Sequence, residues 1–136
     1  MDIQCVFIDP VTKAVSLKLG SKIVTGPAKL FQIVVLSLLN VPGKDVLDPS
    51  LGGGMPEIVG LNFDATDRTE VFAEVARRVK KTQTEILQAQ VGSKAPASER
   101  LRELHIVDIV IGATADAADL KLRIINELGQ TQDLVL

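Results

Sequence analysis

The residues able to do chemistry are few. His105 is the single histidine, so a histidine-based metal site, or a triad needing a second imidazole, is out of reach. It lies between Leu104 and Ile106 in a β-branched run. Alternation puts it on the side carrying Val107 and Ile109, or on a sheet face half in solvent. The run Leu51-Gly52-Gly53-Gly54-Met55 invites comparison with a phosphate loop. That chemistry needs Gly-Lys-Ser/Thr opening a helix, so that amides, lysine and a metal-ligating hydroxyl converge on the phosphates. Met55-Pro56-Glu57 follows instead, with no lysine and with a carboxylate that repels phosphate. Glu57, Asp64, Asp67 and Glu70 are the carboxylates a small hydrolase would use. They show no recognisable spacing, and no aromatic platform accompanies them to hold a sugar.

Two charged stretches remain. Arg77, Arg78, Lys80 and Lys81 read as the solvated face of an amphipathic helix, or as a dock for an acidic partner. Glu99-Arg100-Leu101-Arg102-Glu103 alternates opposite charges just before an apolar strand. Such a stretch is either surface pairing worth a few tenths of a kcal/mol or an electrostatic docking element that sets register with a partner. Cys5, the only cysteine, sits among Ile3, Val6, Phe7 and Ile8 and reads as a packed thiol. One cysteine cannot form an internal disulfide, which implies a reducing compartment or an indifferent thiol.

The elements that must position these residues follow from periodicity. Residues 3–8 and 14–19 are β-type runs separated by Asp9-Pro10-Val11-Thr12-Lys13, an N-terminal β-hairpin ended by Gly20. Gly26-Pro27 opens a helix over 27–39, apolar almost all round and therefore buried on most sides. Residues 40–64, rich in Gly and Pro, read as irregular backbone. Asp67-Arg68-Thr69-Glu70 resembles a capping box and starts a second helix over about 67–90, ended by Gly92. Residues 104–111 form a strand and 120–128 a second, joined by a loop over 112–119. The tail after Gly129 is polar until Leu134-Val135-Leu136. The expected class is α+β: an N-terminal hairpin, two main helices and a C-terminal antiparallel strand pair in a single domain over 1–136.

Composition narrows the function. At 136 residues and 46% hydrophobic, the chain can bury a core without metal or disulfide staples. Fifteen Lys+Arg against 17 Asp+Glu give a net charge of −2, which argues against nucleic acid or a polybasic membrane mode. Mean hydropathy is +0.27 with no Trp, no Tyr and four Phe, so aromatic-anchored pockets and hot spots are disfavoured. No signal peptide is visible, and the longest apolar run, 30–39, is half a bilayer span; a soluble protein is expected.

Three stretches, taken in order, resemble the baseplate wedge and sheath-initiator family of contractile phage tails. That family includes the lysozyme-like baseplate component of type VI secretion systems. The helix over 27–39 is followed by Val41-Pro42-Gly43-Lys44-Asp45 and Asp48-Pro49-Ser50-Leu51-Gly52, similar to the family's Thr-Pro-Gly-Glu-Arg-like stop and Pro-Asp-Phe-Gly-like turn. Leu104-x-Ile106-x-x-Ile109-x-Ile111 matches the family's Ile-x-Val-x-x-Val-x-Val strand. Leu120-Lys-Leu-Arg-Ile-Ile and the tail Leu134-Val-Leu resemble its alternating last strand and apolar end. The resemblance covers about residues 27–136 and leaves the hairpin over 1–20 as an addition. It departs where Leu101-Arg102-Glu103 stands in place of Glu-Pro-Arg, and where Gly43-Lys44-Asp45 lacks Glu-Arg.

The resemblance implies a structural protein rather than an enzyme, with no cofactor. It would stand in six copies around the tail hub, in a baseplate assembled in the host cytoplasm, and be a monomer when isolated. Its expected partners are the tail sheath protein and the baseplate wedge and hub proteins, with no nucleic acid and no membrane. Leu120, Leu122, Ile124, Leu134, Val135 and Leu136 are the expected sheath edge. Glu99, Arg100, Arg102 and Glu103 are the expected wedge contact. The alternatives are a generic α+β interaction domain of another assembly, or a small hydrolase using the carboxylates above.

Overall fold

A computed structural model describes residues 2–18, 20–43, 47, 50–54, 68–111 and 118–136. Leu30, Phe31, Val34, Val35 and Leu38 recur at helical spacing and all are buried, so helix α1 (Pro27–Leu39) runs through the centre of the molecule. Gly26 opens it at φ 65°, a conformation that a side chain resists, and Pro27 takes the first turn where its missing N–H costs nothing. Helix α2 (Arg68–Ala89) buries Val75, Val79, Thr82 and Ile86, one stripe at i, i+4, i+7 and i+11.

The N-terminal hairpin forms as the alternation suggests, in two steps. Strand β1 (Asp2–Ile3) pairs with β4 (Ile23–Val24), and β2 (Val6–Ile8) with β3 (Val15–Leu17), all antiparallel. It shares the core of the molecule: Val6 packs in the same buried cluster as α1. Gln32, the polar interruption in α1, joins the two. Its Oε1 accepts the N–H of Cys5 at 2.8 Å and that of Val6 at 3.4 Å, and its Nε2 donates to the Ile3 carbonyl at 3.0 Å. One buried glutamine thereby satisfies backbone groups that would otherwise be orphaned inside the protein. Cys5 is partly buried against the core, as expected of a packed thiol.

The C-terminal sheet is where the expectation of a strand pair needs correcting. Strands β5 (Leu101–Ile111), β6 (Ala118–Asn126) and β7 (Thr131–Val135) form a three-stranded antiparallel sheet in the order β5-β6-β7. The polar tail is the third strand. Gln132, Asp133 and Thr131 hid it, because only Leu134 of its residues is fully buried. The turn between β6 and β7 is built on Asn126, which is 2% exposed. Its Oδ1 accepts the N–H groups of Leu128 and Gln130, its Nδ2 donates to the Ser98 carbonyl, and Gly129 supplies φ 80°. Leu120, Leu122, Ile124 and Leu134 line the buried face of the sheet, against which the helices pack.

The charged stretch Glu99-Arg100-Leu101-Arg102-Glu103 straddles the start of β5 rather than preceding it. Ala97–Glu99 make one 3-10 turn, and the strand starts at Leu101. Two register shifts follow, between Leu101 and Glu103 and between Ile106 and Asp108. The second places Ile109 in the core while His105 stays half exposed, so these two residues lie on opposite faces.

Candidate functional site

The register of β6 and β7 decides which backbone groups of the sheet are free. Leu120 and Leu136 exchange both of their N–H···O bonds, at 3.1 and 2.9 Å. In an antiparallel ladder such pairs recur every second residue, so Leu122–Leu134 and Ile124–Gln132 are also hydrogen-bonded pairs. The N–H and C=O groups of Thr131, Asp133 and Val135 therefore point away from β6. Val135 donates its N–H to the Lys13 carbonyl at 2.8 Å. The Asp133 carbonyl accepts from Gln132 Nε2 at 3.0 Å. Among the described residues, the Thr131 N–H and C=O and the Asp133 N–H take no partner. They form a short row of unpaired strand groups.

The opposite edge of the sheet is covered in part. The outward N–H of Leu101 is taken at 2.9 Å by Oε1 of Gln90, which directly follows α2, and that of Leu104 at 3.0 Å by Oε1 of Gln83 in α2, which packs along β5. Further along, Asp108 Oδ1 accepts the N–H of Ile109 at 2.9 Å. With two bulges added, β5 carries several of the devices that stop an edge from pairing. Strand β6 has neighbours on both sides. Strand β7 carries its free groups at Thr131 and Asp133, with no helix side chain on them among the described residues.

This corrects the expected sheath edge. Leu120, Leu122 and Ile124 belong to the central strand, and their side chains are core, with Leu122 fully buried. Of the six residues expected there, Leu134, Val135 and Leu136 belong to β7 or follow it directly. Leu134 is core as well, so what the edge can offer is backbone rather than apolar side chains. The solvent face beside it is charged. Arg123 makes a two-pronged contact with Asp133 across β6 and β7, 2.8 and 3.2 Å long. The guanidinium bond holds the Asp133 carboxyl below the usual carboxylate range, and Lys13 adds to it from the hairpin.

The expected wedge contact divides in two. Glu99 is spent inside the fold: its Oε1 accepts the N–H of Gly26 at 3.0 Å at the start of α1, and its Oε2 lies 3.4 Å from Lys29 Nζ. A carboxylate there also complements the helix dipole. Arg100 pairs with Glu127 at 2.9 Å, closing the end of the β5-β6 pair. Arg102 is exposed, and Glu103 is half exposed beside His105, 2.9 Å from its Nε2. The charge alternation thus has an inward half that fixes α1 and an outward half in solvent.

The glycine run is a packing device. A Cβ on Gly53 would lie 2.5 Å from Thr82 Oγ1 and 3.1 Å from the Leu38 backbone, so the strip fits between α1 and α2 only without side chains. Gly52 has φ 121°, and a Cβ there would lie 2.3 Å from the Asn40 carbonyl. Helix α2 clamps this strip: Arg78 Nη1 donates to the Gly54 carbonyl, Lys81 Nζ to those of Ser50 and Gly52, and Glu85 Oε2 accepts the N–H of Gly52. Arg78 is buried, which revises its reading as part of a solvated face. Glu74 binds both Arg77 and Arg78, and those guanidinium bonds hold its carboxyl down at about 2. Sequence reasoning missed this role; the available signal was two arginines with a glutamate three and four residues before them. Of the hydrolase candidates, Glu57, Asp64 and Asp67 lie outside the described residues, and Glu70 is exposed on the first turn of α2. Among the described residues no group of three or more His, Cys, Asp or Glu is placed to hold a metal ion, and no helix is long and apolar enough to cross a membrane.

No family model matches the chain, and no curated protein or solved structure matches it.

Proposed function

We propose that this chain is a structural component of a contractile-tail baseplate, joining the wedge and hub to the first ring of sheath subunits by accepting a strand from a sheath subunit. The observation that carries this reading is the asymmetry of the C-terminal sheet. On one edge the N–H groups of Leu101, Leu104 and Ile109 are taken by side chains, and on the other the N–H groups of Thr131 and Asp133 have no partner among the described residues. Strand addition satisfies such groups and fixes register through the backbone, with side chains contributing specificity. A joint made this way is directional and continuous, which suits a part that must hold while the sheath moves. The sequence resemblance over residues 27–136 supplies the identity of the partner. Arg102 and Glu103 are the charges still presented for a wedge contact.

The test is capture of the sheath and wedge subunits of the same tail by the immobilised chain, with peptidoglycan turnover assayed beside it. Sheath retention by the wild type, loss of it in Asp133→Pro, and no turnover are the expected results. Proline removes an N–H that the fold does not use, so the sheet should survive. Turnover without sheath retention refutes the proposal.

A further inference from the structure

The open edge of β7 is only partly open, and the residue that closes its end belongs to the N-terminal hairpin. Val135 is the third outward-facing residue of the edge, and its N–H is held by the Lys13 carbonyl at 2.8 Å. Ala14 and Val135 form a parallel bridge there, isolated from the other ladders. The turn that makes this contact is self-contained. Asp9 Oδ1 accepts the N–H groups of Val11 and Thr12, at 2.8 and 3.0 Å, and the Asp9 carbonyl accepts that of Lys13 at 2.9 Å. Residues 9–14 are all exposed, so little apolar burial holds the turn down. Lys13 itself has φ 61°, and among the described residues it is the one non-glycine with positive φ. Backbone strain therefore sits on the residue whose carbonyl reaches across to β7.

Resting on the strand-addition reading, we propose that the hairpin turn is a latch on the edge of β7. In the free chain the Lys13 carbonyl occupies the end of the edge at Val135. An incoming strand that pairs along Thr131, Asp133 and Val135 must displace it. Release of the latch lets Lys13 leave the left-handed region, so its strain weakens the closed state. Three consecutive outward N–H groups left open would be a template for indiscriminate pairing, and covering the last one shortens that template. A partner whose strand spans the full edge gains the Val135 bond on displacing the latch, whereas a shorter accidental strand does not.

Two substitutions at Lys13 remove the same charge and change the strain in opposite directions. Lys13→Gly relieves the left-handed conformation and should tighten the latch, while Lys13→Ile, β-branched, should loosen it. Amide hydrogen exchange of Val135 in the free chain is the direct readout. It should slow by about five- to tenfold in Lys13→Gly, the factor expected from the steric cost of one left-handed residue. It should quicken in Lys13→Ile, with exchange at Leu122 in the central strand unchanged in both to show that the fold is intact. Association with the sheath subunit of the same tail should move the other way, slower for Lys13→Gly and faster for Lys13→Ile. Val135 exchanging as fast as Asp133 in the wild type, or equal sheath association by the two variants, overturns the latch. Failure of wild type and both variants to bind the sheath subunit refutes strand addition itself, and the function of the latch with it. Normal sheath binding with an unprotected Val135 refutes the latch alone.

Discussion

Proline placed at successive positions of β7 should separate folding from docking with a period of two. Thr131 is exposed, its N–H points away from β6, and it is the first residue of the strand. Thr131→Pro removes no ladder bond, and proline is tolerated at a strand's first residue and on edge strands whose N–H faces solvent. Its cost to folding should stay under about 1 kcal/mol. Gln132 is the reverse case, because its N–H faces Ile124 in a hydrogen-bonded pair. Gln132→Pro leaves the Ile124 carbonyl without its donor, at about 1–3 kcal/mol. The ring also intrudes between β6 and β7, so about 3 kcal/mol in total is a fair figure, a melting temperature lower by about 10 °C for a domain this size. For docking the order reverses. Thr131→Pro deletes a donor that an added strand would use and puts the ring where that strand must lie. A loss of about 1.4 kcal/mol or more is at least tenfold in affinity for the sheath subunit. Thermal unfolding beside titration with the sheath subunit measures both. A stable Gln132→Pro with an unfolded Thr131→Pro refutes the register reading. A stable Thr131→Pro that binds like the wild type refutes the open-edge reading. Ile124→Pro discriminates nothing, because it breaks the central strand and the fold with it.

Four further outcomes follow from the packing. Gln32→Leu strips the partner from the amides of Cys5 and Val6 and from the Ile3 carbonyl, and should cost about 2–4 kcal/mol in chemical denaturation, with exchange at Cys5 and Val6 quickening first. Gly53→Ala drives a methyl to within 2.5 Å of Thr82 Oγ1 and should cost about 1–3 kcal/mol; Thr82→Ala in the same chain should recover part of it. Asn126→Ala unmakes the turn between β6 and β7 and should cost about 2 kcal/mol while lowering sheath binding, both read on the same samples. Because the Glu74 carboxyl is held down at about 2 by Arg77 and Arg78, its contribution is fully present above pH 4.5 and lost as pH falls from there toward 2. At about 1–2 kcal/mol after allowance for its contact with solvent, that loss should flatten in Glu74→Gln, as acid titration of stability will show.

Much of the fold was legible in local pattern. The apolar i, i+3/i+4 stripe, with Gly-Pro before it and Asn-Val-Pro-Gly after, placed α1 at 27–39, the range the structure shows. The capping-box pattern over 67–70 and the stop at Gly92 set the ends of α2 within a residue. The β-branched run of β5 and the alternation of β6 were visible because one face of each is buried. Strand β7 was not, since a five-residue segment with a single core side chain carries too little apolar signal; its pairing with β6 and the turn on Asn126 make it a strand.

The sequence by itself determined the class of the protein, an aliphatic α+β chain of balanced charge with a lone histidine and a single cysteine. It also supplied the means of local packing: glycines at 52 and 53, proline at 27 and asparagine at 126, whose neighbours the fold then chose. Only the tertiary structure decided which backbone groups remain free. That depends on the parity of strand register and on where Gln83, Gln90, Gln32 and Lys13 arrive from distant parts of the chain, and a period-2 pattern is silent about both. Hydrophobic spacing tells which side of a strand faces the core. It does not tell which edge has a neighbour, because edges are made of backbone, and the backbone is the same at every residue except proline.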